Sequence, residues 1–381
     1  CGVACSYANA QGVCSAGTCA LGACSEGFAD CNGDAADGCE VDLRTSTAHC
    51  GACGNACGLC AAGKCVAAAA LVSSAHSDFT CALLEDGSLR CWGDGSANQL
   101  GSGTACAAPP CYRHEPVVVA IPRVVSAVAT GAEHACAVSE GKVLCWGSNS
   151  DGQLGLGSPL PDNSPYPTPR EVPGLLDVEA LSAGARFTVV QTRARGLTGF
   201  GANRRGQLAL GNRLSQSQPQ SIGGVVSAAA VAAGSEHTCY RNATGQLHCS
   251  GNNEQFALGV EASRANQQCD LLASNTKCSY AFLDVPGQTT TVSIAAGANH
   301  TCVTRQPSSV ACTGSNELGQ LGTGGATGVG SVAQSFTGSF VPAGFGDTIQ
   351  LVAGARHTCA LQRDGALWCW GANGEGELGT P

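Results

Sequence analysis

From residue 66 onward, short apolar runs alternate with turn-forming residues. Runs such as VVSAVAT at 124–130 and IQLVA at 349–353 have the length of single strands, and the residues between them favour turns. No stretch carries a long helical periodicity. Most runs precede a unit in which a Phe or His is followed two positions later by Cys, and a second Cys follows nine or ten residues on. The pairs are Cys81/Cys91, Cys136/Cys145, Cys239/Cys249, Cys302/Cys312 and Cys359/Cys369. Each pair brackets a hairpin turn. In CALLEDGSLRC the three-residue loop Glu85-Asp86-Gly87 sets Leu84 opposite Ser88, and so Cys81 opposite Cys91; a loop of this length with Gly last is a type I turn plus bulge. The shorter CAVSEGKVLC, with loop Glu140-Gly141, again opposes its two cysteines. Directly opposed strand residues lie within disulfide reach. One unit carries Val189 and Gly199 at the two positions, and joint loss is what a bonded pair predicts. Two further pairs, Cys106/Cys111 and Cys269/Cys278, fall in insertions.

The units start near residues 76, 131, 184, 234, 297 and 354. A period of 50 to 63 residues with several strands per unit predicts a β-propeller. The expected architecture is therefore all-β: a propeller of four-stranded blades over 66–381, preceded by a small disulfide-rich domain over 1–65 that holds 12 Cys. Six units are countable. Either six blades close the ring, with 66–74 completing it by strand exchange, or a degenerate seventh is present.

The chain has 26 Cys, an even number, and no Met. Such usage belongs to an oxidising compartment, and the missing Met and apolar leader suggest a processed chain. Cys1 has two readings, an acylated lipoprotein anchor or an ordinary half-cystine; the even count favours the second. No apolar run is long enough to span a membrane. A net charge of −9 with three Lys argues against nucleic acid or an anionic membrane as partner.

The recurring pattern G-x-x-H-[ST]-C-x-L…C-W-G-x-N-x-x-G-Q-L-G, as in GAEHACAVSEGKVLCWGSNSDGQLGLG at 131–157, resembles the repeat of the regulator of chromosome condensation family. The resemblance implies a propeller, usually seven-bladed with four-stranded blades. The role of that family's best-known member, a nuclear exchange factor for a small GTPase, suits a disulfide-rich acidic chain poorly. Secreted bacterial propellers that bind proteins, among them a β-lactamase inhibitor, also belong to it. The segment DCNGDAADGCEVDLRTSTAHCGACGNAC at 30–57 resembles a Cys-rich module of large secreted proteins of gram-negative bacteria.

Candidate chemistry was weighed against plainer readings. Cys50, Cys53, Cys57 and Cys60 are too tightly spaced for a typical zinc site and read as disulfides, giving six bridges in the first 65 residues. Asp30, Asn32, Asp34 and Asp37 are candidate ligands for a weak structural calcium ion, although Val41 stands where an EF-hand needs Glu; the plainer reading is a solvated acidic turn. A ring of His134, His237, His300 and His357 suggests an axial metal, but Phe79 and Phe187 fill the same place in the other units, so the position reads as packing. Trp92, Trp146 and Trp370 read likewise. No nucleophile elbow, metal-binding helix or paired carboxylates are found. Three insertions, 104–116, 158–173 and 260–286, fall at one point of the repeat and so emerge on one face. They offer Tyr112, Arg113, Tyr166, Tyr280 and Phe282 as binding-face candidates. The expected function is a secreted or cell-surface, non-catalytic binding or structural protein of bacterial type, an adhesion module or subunit of an extracellular assembly, acting through a protein partner or self-association and needing no cofactor. The alternatives are a soluble inhibitor or ligand-binding propeller and, more remotely, a propeller enzyme.

Overall fold

The computed structural model describes residues 4–57, 60–73, 78–157, 165–225, 227–261, 263–265, 267–269, 277–307, 309–322, 339–340, 347–374 and 376–379 of the 381. Every regular element among them is a β-strand. The chain divides into two compact units, Cys1–Ala70 with Leu84–Asp86, and Leu71–Leu83 with Gly87–Pro381.

In the first unit, Ser6–Tyr7, Ala10–Ser15 and Thr18–Cys24 form a small sheet, and two further strand pairs are only two residues long. Bridges join Cys5 to Cys19, Cys24 to Cys39, Cys31 to Cys53 and Cys50 to Cys60, and Cys14 is also disulfide-bonded. Of the described residues up to Cys65, the buried apolar ones are Cys39, Cys50 and Cys60. A segment this poor in apolar surface depends on cross-links for its order. The expectation of six bridges is corrected in one respect: Cys57 and Cys65 remain thiols. They are held side by side next to the Cys50 sulfur, the three sulfurs lying within 4.8 Å of one another, and the hydrogen bond from Cys57 raises the Cys65 pKa. Cys1 lies outside the described residues.

The second unit is a succession of six antiparallel sheets. Blade 1 comprises Ala68–Ser73, Phe79–Leu84, Leu89–Asp94 and Tyr112–Val118; blade 2, Val125–Thr130, His134–Ser139, Lys142–Gly147 and Tyr166–Glu171; blade 3, Val178–Ala183, Phe187–Thr192, Leu197–Gly201 and Gln216–Ser221. Blade 4 comprises Ala228–Ala233, His237–Asn242, Leu247–Asn252 and Lys277–Asp284, with Gln267–Gln268 added at its edge. Blade 5 comprises Thr291–Ala296, His300–Arg305, Ser309–Gly314 and Ser339–Phe340, and blade 6 Thr348–Ala353, His357–Gln362 and Leu367–Gly371. Strand exchange by 66–74 does not occur: Ala68–Ser73 is the first strand of blade 1, beside Phe79–Leu84.

The hairpin register is the one the turn lengths dictate. Cys81 faces Cys91, Cys136 faces Cys145, Val189 faces Gly199, and the remaining three cysteine pairs follow suit. All five pairs are bonded at Cα–Cα 4.1 Å. Cys106–Cys111 and Cys269–Cys278 are bonded as well. The Gly that follows the second cysteine by two, as in C-W-G, has a positive φ in every blade, from +96° at Gly147 to +115° at Gly371. A Cβ on Gly147 would lie 2.4 Å from the Glu133 carbonyl oxygen, so only Gly fits the bulge.

Five apolar clusters hold the unit together, each shared by two successive blades. Trp146 and Phe200, at one repeat position, are fully buried at the first two junctions. Trp146 also donates its indole N–H to the Gln99 carbonyl of the preceding blade at 2.8 Å. A string of main-chain hydrogen bonds runs from blade to blade: Ala132 N–H to Ala185 O, Ala185 to Ser235, Ser235 to Ala298 and Ala298 to Ala355, at 3.0–3.2 Å.

Replacing Cys239→Val together with Cys249→Gly copies the pair that blade 3 already carries. The double variant is expected to keep the fold and to lose at most about 2–3 kcal/mol, the chain-entropy contribution of so short a loop, read as a Tm drop of a few degrees. Thiol titration of the intact denatured protein should find the Cys57/Cys65 pair reactive, and mild oxidation should remove both thiols together by closing a sixth bridge.

A candidate binding rim on the propeller

The third strand of each blade ends at its bulge Gly, and the outer strand begins opposite it. Gly93 pairs with Arg113, Gly147 with Tyr166, Gly201 with Gln216 and Gly251 with Ser279. The loops that join these strands therefore leave the blades at the same end. Loop and strand are also tied across blades. Gly103 N–H donates to the Pro167 carbonyl, Gly157 to Ser217 and Gly211 to Tyr280, at 2.8–3.0 Å. Together they make a continuous rim over blades 1 to 4.

The five candidate residues occupy this rim unequally. Tyr112 is 57% exposed and Arg113 is exposed beside it. Their loop is pinned by the Cys106–Cys111 bridge, by Gly95 N–H to Cys111 O at 2.8 Å and by Cys106 N–H to Asn98 Oδ1 at 2.7 Å. Tyr166 is half-buried, with the Arg170 guanidinium 5.9 Å above its ring. Tyr280 is fastened by its hydroxyl to the Gln268 carbonyl and by its N–H to Gln267 Oε1. Phe282 packs edge-on to Tyr240 at 4.7 Å within an apolar cluster, so its side chain serves blade packing. Positions 158–164, 270–276 and several neighbours in the insertions lie outside the described residues.

The histidine position is a structural relay. His134 Nε2 meets Thr188 Oγ1 of the next blade at 3.0 Å, and that hydroxyl donates to the Gln153 carbonyl at 3.1 Å. His237–Thr301–Ala257 and His300–Thr358–Gln320 repeat it. Because the hydroxyl proton goes to the carbonyl, the Thr oxygen accepts from a neutral imidazole carrying its proton on Nε2. Burial holds His134 and His300 at a pKa of about 3, since the charged form would lose its hydration. A metal would have to displace the Thr from each ring.

The acidic loop has turned its oxygens onto its own amides. Asp30 Oδ1 accepts from Gly33 N–H, Asn32 Oδ1 from Asp34, Asp34 Oδ1 from Ala36, and Asp37 Oδ2 from the Asn32 side chain, at 2.6–3.0 Å. The arrangement is a run of Asx turns. The groups of three potential ligands that do converge among the described residues are Cys31, His49 and Cys53, and Cys50, Cys57 and Cys65. Each includes cysteines already consumed by disulfides.

One polar pair escaped the sequence reading. His248 Nδ1 lies 2.8 Å from Asp284 Oδ1, its ring stacks on Tyr240 at 4.6 Å, and its Nε2 faces the Asn242 amide nitrogen at 3.4 Å. With the proton on Nδ1, the imidazole bridges Asp284 and Asn242 and ties the outer strand to the hairpin. Its two ring nitrogens face a carboxylate and an amide, an arrangement that tethers and supplies no nucleophile.

The structure so defined is a propeller of disulfide-clamped antiparallel blades joined by buried His–Thr–carbonyl relays. Models of the regulator of chromosome condensation (RCC1) repeat match residues 140–191 and 198–240, and 77–99, 125–153, 228–256 and 349–377. The chain carries RCC1 repeats and belongs to that repeat family. It is similar to the ultraviolet-B receptor UVR8 of Arabidopsis thaliana, 28% identical over 80% of this chain and 65% of the receptor, and to human RCC2, 30% identical over 61% of this chain and 47% of RCC2. The human probable E3 ubiquitin-protein ligase HERC6 is 31% identical over 60% of this chain and 22% of HERC6. The chain thus spans between a fifth and two-thirds of these relatives. Among solved structures, human WBSCR16 superposes with TM-score 0.67 at 20% identity, over 82% of this chain and 78% of that one. Prp20p of Saccharomyces cerevisiae gives 0.64 at 18%, over 77% and 68%.

The two deeply depressed histidines set an acid dependence. Their unfolded pKa is near 6.5 and their folded pKa about 3. The unfolded state therefore binds more protons in between, and stability falls as pH drops from about 6.5 toward 3. The expected loss is about 1.4 kcal/mol per pH unit for each His. Urea melts at pH 7 and pH 5 should show it, and His134→Phe, which copies Phe187, should flatten the slope by one such increment.

Proposed function

We propose that this chain is a secreted or cell-surface, non-catalytic binding protein, an adhesion module or a subunit of an extracellular assembly, that engages a protein partner through the insertion rim. The observation that carries the reading is the Tyr112–Arg113 pair, exposed on a loop immobilised by its own disulfide. An aromatic and an arginine held rigidly in solvent lose little conformational entropy on binding and are typical energetic anchors of interfaces. The eleven disulfides seen among the described residues support the oxidising compartment, where such bonds persist. The net charge of −9 supports a protein partner over nucleic acid. Prp20p, similar in fold, binds Gsp1p and histones, so a scaffold of this kind serves protein binding in at least that relative.

The test is photo-crosslinking with benzoylphenylalanine placed at Tyr112, and separately at Arg193. Arg193 is exposed in the Thr192–Gly196 hairpin turn, at the opposite end of the blade from the bulge Gly. In the native setting, cell surface and culture medium included, the Tyr112 probe should give a discrete adduct that the Arg193 probe does not. Equal adducts at both positions, or none at Tyr112, would overturn the rim assignment.

A further inference from the structure

Blade 6 departs from the other five at its outer edge. In blades 1 to 5 a fourth strand lies beside the third in one constant register. Cys91 faces Val117, Cys145 faces Arg170, Gly199 faces Gln220, Cys249 faces Leu283 and Cys312 faces Ser339. In blade 6 the third strand, Leu367–Gly371, has no such neighbour among the described residues.

The missing strand leaves a defined vacancy in the packing. Two residues before the second cysteine, each blade carries an aliphatic residue. Leu89, Val143, Leu197, Leu247 and Val310 are 0–3% exposed, whereas Leu367 is 67% exposed. In blades 1 to 4 the carbonyl of this residue accepts the N–H of a β-branched residue that ends the outer strand: Val119 to Leu89, Val172 to Val143, Ile222 to Leu197 and Val285 to Leu247, at 2.8–2.9 Å. Those four β-branched side chains are themselves buried. The Cys359–Cys369 bridge, whose counterparts are fully buried, is partly exposed. Ile349 and Val352 on the first strand of blade 6 are about half exposed.

We propose that the Leu367–Gly371 edge is a docking groove for an extended strand of a partner protein, one that reads like this chain's own outer strands and closes on Val or Ile. The partner's main chain would pair along the edge, and its β-branched residue would donate its N–H to the Leu367 carbonyl and cover the Leu367 side chain. Strand addition of this kind draws affinity from main-chain hydrogen bonds and specificity from alternate side chains. The occupant is defined by the register common to the other five blades, so the groove stands independently of the insertion rim.

The test uses the intact chain and a synthetic peptide of the blade 2 outer strand, YPTPREVP, residues 166–173. Trp368, adjacent to Leu367 and 53% exposed, reports binding by fluorescence, and hydrogen exchange reads protection of the 367–371 amides. The expected result is a saturable blue shift with slowed exchange. Binding should weaken by about tenfold or more for a peptide with Asp in place of its Val, and equally for the Leu367→Asp protein. Leu367 is already exposed, so that variant should retain the wild-type melting curve, and the altered peptide repeats the test without touching the protein. No saturable response, an equal response to the Asp peptide, or Leu367-dependent self-association of the chain in place of peptide binding would overturn the proposal.

Discussion

Every blade of this molecule is a small sheet that must bury both its flanks, and the junction that accomplishes this rests on one hydroxyl. A threonine on the second strand gives its proton to a turn carbonyl of the preceding blade and receives one from that blade's histidine. The turn, the ring and the next sheet are thereby fixed together in a dry environment where unpaired groups are costly. The requirements radiate from there. A histidine needs a glycine three residues upstream, because a Cβ at Gly131 would lie 2.1 Å from the His134 ring. The flank beneath must be free of charge, and a buried cystine supplies rigid apolar bulk. Where Phe187 replaces the histidine, Thr188 and Thr238 still reach the carbonyls of Gln153 and Gln207, so the hydroxyl-to-carbonyl half of the junction is the part held through the change.

What could be read from the sequence follows the range of the interactions. The hairpins were legible because turn length alone sets a register ten residues across, and the joint change to Val189 and Gly199 betrayed the bond. The role of the histidines was legible because phenylalanine substitutes for them, which keeps volume and abandons ligation. The outer strands were not legible. They are reached only after insertions of unequal length, so no local rule links Cys249 to Leu283 or His248 to Asp284. For the same reason Phe282 read as a contact residue, although its register turns it toward Tyr240. The N-terminal unit yielded its dependence on cystine but hid the pairing, since closely spaced cysteines allow many connectivities. Nothing in the spacing of Cys57 and Cys65 marks them as the two that keep their protons.

The two ends of the blades do different work. At the hairpin end, the turn of one blade accepts the first amide of the next, as Gly87 O does from Val125 and Gly141 O from Val178. This end repeats with little variation in length. At the other end, the rim loops are tied to neighbouring strands at their bases and then diverge, and bridges such as Cys106–Cys111 stiffen what diverges. A scaffold so divided tolerates change at one end without disturbing its junctions.

The cross-strand cystines have a mechanical meaning as well. Each closes a loop of only nine or ten residues inside a single hairpin, and none of these five spans two blades. A chain drawn out by its ends can therefore peel one blade from the next while every clamped hairpin stays shut, withholding roughly 30–35 Å of contour length apiece. Under tension such a propeller becomes a string of small knots that can reassemble in order, because the registers most easily lost are the ones sulfur holds.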